Sequence, residues 1–254
     1  MRVLPLLSLL LFAASAFAGD DQCPPRFSYC GYSGPAQWPN IQIPDKENQC
    51  GGTRQSPIDL PKLAPTPGPR IQVAYLDGRA TIRNTGYDIE VTPVEANSKI
   101  TINKVEYTLV KFHFHVPSEH HIEGAEKPAE MHVVHTRIDG GTTYYAVIGV
   151  ILDKGPDHPA LEPVFKSLPK TVCEKSGQVP IAFSKLLPQE LGNYYTYAGS
   201  LTTPPCTQTV TWYVLGTPQT IREAGLMNLR ALGNNARLIQ VNKPPLPVTY
   251  VRPQ

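Results

Sequence analysis

The chain has 254 residues, 41% of them hydrophobic and 17% charged, with a formal net charge of +2. That length can bury one sizeable core. The small charge, with no Lys/Arg run, argues against nucleic acid or an anionic membrane as partner.

The first segment reads as a leader. After Met1-Arg2 the chain runs apolar from Val3 to Phe17, closes on Ala16-Phe17-Ala18, and turns polar at Gly19-Asp20-Asp21. One early positive charge, a short apolar stretch and a small-x-small exit define a secretory signal peptide over 1–18. The run is short for a membrane span of roughly 20 residues, and no later segment is apolar enough to cross. The sequence therefore predicts a soluble single domain over 19–254, secreted or periplasmic after cleavage near Ala18. All five cysteines (Cys23, Cys30, Cys50, Cys173, Cys206) fall in that domain. An oxidising compartment predicts at least one disulfide, and the odd number leaves one thiol free or paired between chains. None forms a CxxC pair, so a cysteine metal site is not expected.

With 27 prolines and 19 glycines, the chain reads as short elements joined by turns. Residues 20–57 lack periodicity and read as an irregular arm over the surface. Strand patterns follow at Arg70–Leu76, Ala80–Asn84, Ile89–Pro93 and Lys99–Asn103. Val105–Val116 is longer and alternates, and Glu130–Ile138 resembles it. Asp139-Gly140-Gly141 then signals a hairpin into Tyr144–Leu152, and Thr209–Leu215 is a further strand. Helical spacing is confined to Ala160–Ser167 and Ile221–Leu232. The predicted class is α+β, mainly β: a mostly antiparallel sheet with a few peripheral helices.

All seven histidines lie between His113 and His158, and six of them between His113 and His135. In Lys111-Phe112-His113-Phe114-His115-Val116, a strand would put both imidazoles on one face and Phe112, Phe114 and Val116 on the other. A paired strand, Glu130-Met131-His132-Val133-Val134-His135, offers His132 as a third ligand. His135 has the opposite parity and is read as a structural, hydrogen-bonded histidine. Three neutral imidazoles with one open position suit a catalytic Zn2+. Glu130, two residues before His132 on the same face, can accept its second N–H. An HxH pair alone is weak evidence, since cupin-type metal sites also begin that way. Two further segments add to it: the loop Pro117-Ser118-Glu119-His120 and the stretch Gly199-Ser200-Leu201-Thr202-Thr203-Pro204-Pro205-Cys206. A threonine hydroxyl can accept from a neighbouring nucleophile only if its own proton points elsewhere, and Glu119 can take the proton of Thr202. A solvated glutamate and an ordinary Pro-rich turn remain the alternative.

KFHFHVPSEH, AEMHVVH and SLTTPPCTQTVTW resemble the three signature segments of the α-carbonic anhydrases, in order and in spacing. Gln55-Ser56-Pro57-Ile58-Asp59 and Gly31-Tyr32-Ser33-Gly34-Pro35 with Trp38 resemble that family's amino-terminal motifs, so the likeness covers nearly the whole mature chain. The resemblance implies a large twisted sheet of about ten strands with zinc at the base of a conical cleft. It implies reversible hydration of carbon dioxide to bicarbonate and a proton through zinc-bound hydroxide, with a possible side esterase activity. His113, His115 and His132 match the zinc ligands, Thr202 the gatekeeping threonine, Glu119 the carboxylate holding it, and Glu130 the outer partner of the third histidine. Val134, Val147, Leu201, Val210 and Trp212 match the apolar wall for carbon dioxide. Thr203 and Tyr32 match polar residues that support the cleft water. A Cys50–Cys206 disulfide is what the resemblance to exported relatives implies, whereas the pairing among Cys23, Cys30 and Cys173 stays open. Sulfonamides and anions are the inhibitors the resemblance implies. Oligomeric state stays open, with a dimer possible.

Two positions depart from the family. Its proton-shuttling histidine stands in an Asn-Asn-Gly-His segment, where this chain has Asn84-Thr85-Gly86-Tyr87, and Glu90 replaces a polar cleft residue three positions on. The phenol of Tyr87, of ordinary pKa near 10, is poorly suited to passing protons at neutral pH. Lys111 stands where the family has a glutamine whose carbonyl accepts from the first zinc histidine, and an ammonium has no acceptor. The rival readings are a non-catalytic binding module on the same fold and an exported zinc-binding protein. The complete set of three histidines, Thr202 and Glu119 speaks for catalysis.

Overall fold

The computed structural model describes Cys23 and residues 26–254. The leader expected over 1–18, with cleavage near Ala18, lies outside the described residues.

Nine strands organise the molecule: β1 (Gly78–Asn84), β2 (Ile89–Pro93), β3 (Val105–His115), β4 (Ala129–Asp139), β5 (Thr142–Lys154), β6 (Lys175–Ile181), β7 (Tyr194–Gly199), β8 (Val210–Leu215) and β9 (Thr249–Pro253). They lie in the order β6-β1-β2-β3-β4-β5-β8-β7-β9 within a 13-stranded twisted sheet, which short pieces at Thr66–Gly68, Gln72–Ala74, Lys99–Ile102 and Gln219–Ile221 complete. The pairings are mostly antiparallel, but β5 runs parallel to β8, and β9 to Thr66–Gly68. The mainly β expectation holds, with more strands than about ten. β6, β7 and β9 carry mixed polar and apolar residues whose pattern alone did not mark them. Helices are peripheral and shorter than their sequence patterns: α1 (Glu162–Lys166) and α2 (Glu223–Arg230).

Alternation along the central strands sorts side chains onto two faces. Phe112 and Phe114 of β3, Met131 and Val133 of β4, and Ala146 and Ile148 of β5 join the larger buried cluster. The opposite face carries the histidines and a second cluster containing Val134, Val147, Val210 and Trp212. Simple alternation would set Leu109 and Phe112 on opposite faces, yet both belong to the larger cluster. A register shift between Leu109 and Lys111 in the β3–β4 ladder resolves this. The extra residue lets Val110 pack on the second cluster while Lys111 stays on the face of His113, which is how a β-bulge re-aims side chains.

The arm before the sheet is irregular, as expected, but it is more than a surface wrap. Trp38 and Cys50 are buried in a cluster of their own with Phe27 and Cys206. Two disulfides, Cys50–Cys206 and Cys23–Cys173, tie the arm to the domain. Cys30 is the free, exposed thiol.

Candidate metal centre

Adjacent strands bring the three histidines together. His113 stands directly opposite His132 in the β3–β4 ladder, and His115 stands opposite Glu130. Nitrogens of His113, His115 and His132 all lie within 4.8 Å of one another. His115 and His132 are buried, while His113 is partly exposed at the open side. Burial pushes all three imidazoles below the usual histidine pKa, His115 to about 3, so the cluster is neutral.

The outer partners decide which nitrogens remain available. A carbonyl or carboxylate oxygen only accepts, so each such bond fixes a tautomer. His115 Nδ1 donates to the Asn235 carbonyl at 2.8 Å, and its Nε2 is buried without a partner. His132 Nε2 donates to Glu130 Oε1 at 2.9 Å, which leaves Nδ1 with its lone pair. Glu130 also accepts His120 Nδ1 at 2.7 Å and the backbone N–H groups of Glu119 and His120 at 2.9 and 2.8 Å. Burial works against its charge, but His120 and His132 hold its pKa well below the carboxylate range. Gly149 of β5 faces His132 in the ladder, and a Cβ there would lie 2.9 Å from Glu130 Oε1. His113 Nδ1 is buried with no partner. That is the consequence expected of Lys111, whose ammonium pairs instead with Glu90 on β2.

Glu119 is buried above the cluster, with Oε2 3.8 Å from His132 Nδ1. Its Oε1 accepts the Arg237 backbone N–H at 2.8 Å. Burial pushes this carboxyl well above the usual range; the Thr202 hydroxyl is close enough to pull against the shift, though Oε2 closes no hydrogen bond. Thr202 is buried in a loop fixed from several directions. Leu201 N–H donates to Thr207 O at 2.9 Å, Cys206 N–H to Thr203 O at 2.8 Å, and Trp212 Nε1 to Ser200 O at 3.0 Å. The Cys50–Cys206 bond anchors its far end. Val134, Val147, Val210 and Trp212 form one apolar cluster with Leu201 packed on it, and the Trp212 ring lies 4.7 Å from that of His132.

Other residues frame this cluster. Tyr32 points to solvent, fully exposed, so its expected place beside the cleft is corrected. A bend of the arm turns Tyr29 inward instead, and its buried hydroxyl feels Glu119 and Tyr87. Tyr87 is half-buried against the rings of Phe27 and Tyr29 at 4.7 and 6.1 Å. His135 faces away, bonded to Tyr75 and the Ala146 carbonyl, as strand parity requires. His120 is buried between Glu130 and the Tyr197 hydroxyl. Asn235 and Arg237 sit in a C-terminal loop with no motif. A second histidine–carboxylate group, His120 with Glu130 and His132, also has metal-like spacing. Its carboxylate oxygens are already filled by four N–H donors, so it reads as a hydrogen-bonded support.

His115 Nε2 is buried without a partner and His132 Nδ1 keeps its lone pair, so the ring nitrogens that converge within 4.8 Å fit a cation. Three neutral imidazoles beside an apolar wall, with no fourth protein ligand converging on them among the described residues, make an open metal-binding group rather than a closed structural site. Comparison with known proteins narrows this. Residues 33–249 match the family model for eukaryotic-type carbonic anhydrase. A carbonic anhydrase of Neisseria gonorrhoeae is 35% identical over 244 residues, covering 94% of each chain. One from Pectobacterium carotovorum is 34% identical over 215 residues, 84% of this chain and 86% of its own. The α-carbonic anhydrase of Thermovibrio ammonificans, solved with sulfanilamide, superposes with a TM-score of 0.79 at 30% identity, covering 89% of this chain and 98% of that one. The chain belongs to the eukaryotic-type, or α, carbonic anhydrase family and is an enzyme of that kind.

Proposed function

We propose that this enzyme binds one Zn2+ through His113, His115 and His132 and hydrates carbon dioxide reversibly to bicarbonate and a proton. The observation that carries the reading is the tautomer pattern, with the second nitrogens of His115 and His132 committed as donors to Asn235 and Glu130. Zinc supplies Lewis acidity that makes water nucleophilic near neutral pH.

The protein's own contributions are positional. Thr202 passes its proton toward Glu119, so the hydroxyl oxygen must act as acceptor toward the open coordination position. Val134, Val147, Leu201, Val210 and Trp212 hold carbon dioxide, which offers no polar handle, by excluding water from one side of the cleft. Thr203 lines the polar side. Glu130 fixes the His132 ring; Lys111 cannot do so for His113, which weakens the zinc affinity without abolishing it. Tyr87 occupies the shuttle position without acting as a proton carrier.

The same site would hydrolyse activated esters and bind sulfonamides and small anions, as the relatives solved with sulfanilamide and acetazolamide do for those two inhibitors. The domain spans 19–254 and is exported after cleavage near Ala18. Its two disulfides support that compartment, and no described helix is long and apolar enough to cross a membrane. Metal analysis of the purified protein, together with stopped-flow carbon dioxide hydration, tests the reading. One zinc per chain and activity lost on chelation are expected. A folded protein that takes up no zinc would overturn it.

A further inference from the structure

With a tyrosine at the shuttle position, the proton released in each turnover needs another route. The residue after Tyr87 is a buried carboxyl. Asp88 is 4% exposed in the turn just before β2, close enough to Glu90 and Lys111 to feel both charges, and Glu90 stands opposite His113 in the ladder.

The turn around it does not need that carboxylate. Thr85 N–H donates to Asp88 O at 3.0 Å, Asp88 N–H to Thr85 Oγ1 at 3.0 Å, and Gly86 N–H to Asn84 Oδ1 at 2.9 Å. The Asp88 carboxyl adds only a bond from the Thr85 hydroxyl. Burying a carboxyl carries a desolvation cost, and a single hydroxyl bond offsets only part of it. Its charged surroundings are mixed. Burial and Glu90 favour the protonated form, while Lys111, the Thr85 hydroxyl and Arg83 favour the carboxylate; Tyr29 faces it from the arm. The net effect raises its pKa from 3.8 to about 6. A group poised there takes and gives protons near neutral pH, as the phenol beside it cannot. Gly86, in the same turn, is exposed, so solvent is one turn away.

We propose that Asp88 is the proton carrier of this cleft, a role that rests on the proposed hydration activity. Carbon dioxide and water give bicarbonate and a proton; the Asp88 carboxylate takes the proton, and the carboxylic acid returns it to a buffer base in solvent. No electrons are exchanged.

Two measurements test this. In the zinc-loaded enzyme, Asp88→Asn lowers kcat at low buffer concentration on the order of 10²-fold and leaves kcat/KM unchanged. Added imidazole restores kcat, and Asp88→Glu loses less than Asp88→Asn. In the zinc-free protein, carboxyl 13C NMR shows one resonance titrating near 6 that is missing from Asp88→Asn. Full kcat for Asp88→Asn at low buffer, or a resonance titrating in the ordinary carboxylate range, would overturn the proposal. A wild-type protein that binds zinc but does not hydrate carbon dioxide would overturn the proposed function, and this role with it.

Discussion

Glu130 Oε1 receives both His132 Nε2, at 2.9 Å, and His120 Nδ1, at 2.7 Å. One carboxylate thus orients a ring at the metal centre and a ring buried behind it. Its other oxygen binds two backbone N–H groups of the Glu119–His120 loop. The position of Glu119 and the tautomer of His132 are therefore set by the same side chain.

Glu130→Gln should disturb both. An amide offers one acceptor oxygen where the carboxylate offers two, so some of the four donors lose their partner, at about 1–3 kcal/mol each. Zinc affinity should fall by about 10- to 100-fold, the usual effect of losing such an outer partner. Chelator competition measures it. An unchanged Kd would show that the ring does not depend on Glu130.

His115→Ala should remove zinc binding and hydration while leaving the far-UV circular dichroism near wild type. His115 contributes little to the hydrophobic core, and its orphaned Nε2 is a buried polar group the fold does not use. Retained stoichiometric zinc in this variant would contradict the ligand set.

Gly149→Ala tests the room left for Glu130. The added methyl would stand 2.9 Å from Glu130 Oε1 and 3.2 Å from Val214 Cγ2, both in packed surroundings. Overpacking of this kind costs about 1–3 kcal/mol. It should also weaken zinc binding by displacing the carboxylate. Unfolding in denaturant and zinc titration read the two effects separately.

Much of this site was legible in the sequence because strand parity is a local rule. Counting alone puts His113 and His115 on one face of their strand and separates His132 from His135 on theirs; the family resemblance joined His132 to the pair. Val134 follows the same arithmetic, whereas Val147 came only with the family resemblance. What escaped depends on long-range contact. Asn235 and Arg237 reach the site from more than 100 residues away, through a backbone carbonyl and a backbone N–H that any residue could supply. The Val110 bulge was invisible because one extra residue in an apolar run changes no composition. Tyr29 and Tyr32 are two tyrosines in one irregular arm, and only the path of the turn decides which points inward. The Cys23–Cys173 pairing, too, needed the fold, since spacing does not choose among three cysteines.

The Cys50–Cys206 bond should stabilise the domain and the Thr202 loop together. It joins positions 156 residues apart and holds the end of that loop against the buried Trp38 cluster. Replacing both cysteines by serine should cost about 2–4 kcal/mol of stability. Hydration activity should fall more steeply with temperature than in wild type, because Thr202 loses its anchor before the sheet unfolds. Parallel loss of both would mean the loop is held by its hydrogen bonds alone.

Asp88 makes stability depend on pH in a direction opposite to that of an ordinary ion-paired carboxylate. Its folded pKa of about 6 lies above the ordinary 3.8, so between these values the folded state holds more protons than the unfolded one. Stability from this group therefore falls as pH rises through that window, and above about 6 the full cost of the buried charge is present. The difference amounts to about 3 kcal/mol. Asn cannot ionise and keeps an oxygen for the Thr85 hydroxyl, so Asp88→Asn should gain on wild type as pH rises from 4 to 8. Denaturant unfolding of both proteins across that range gives the comparison without zinc or substrate. Glu90, Lys111 and Arg83 surround position 88 in both proteins, so the comparison changes one group only. A stability difference that stays flat from pH 4 to 8 would mean that Asp88 titrates as an ordinary surface carboxylate and has no poised proton to carry.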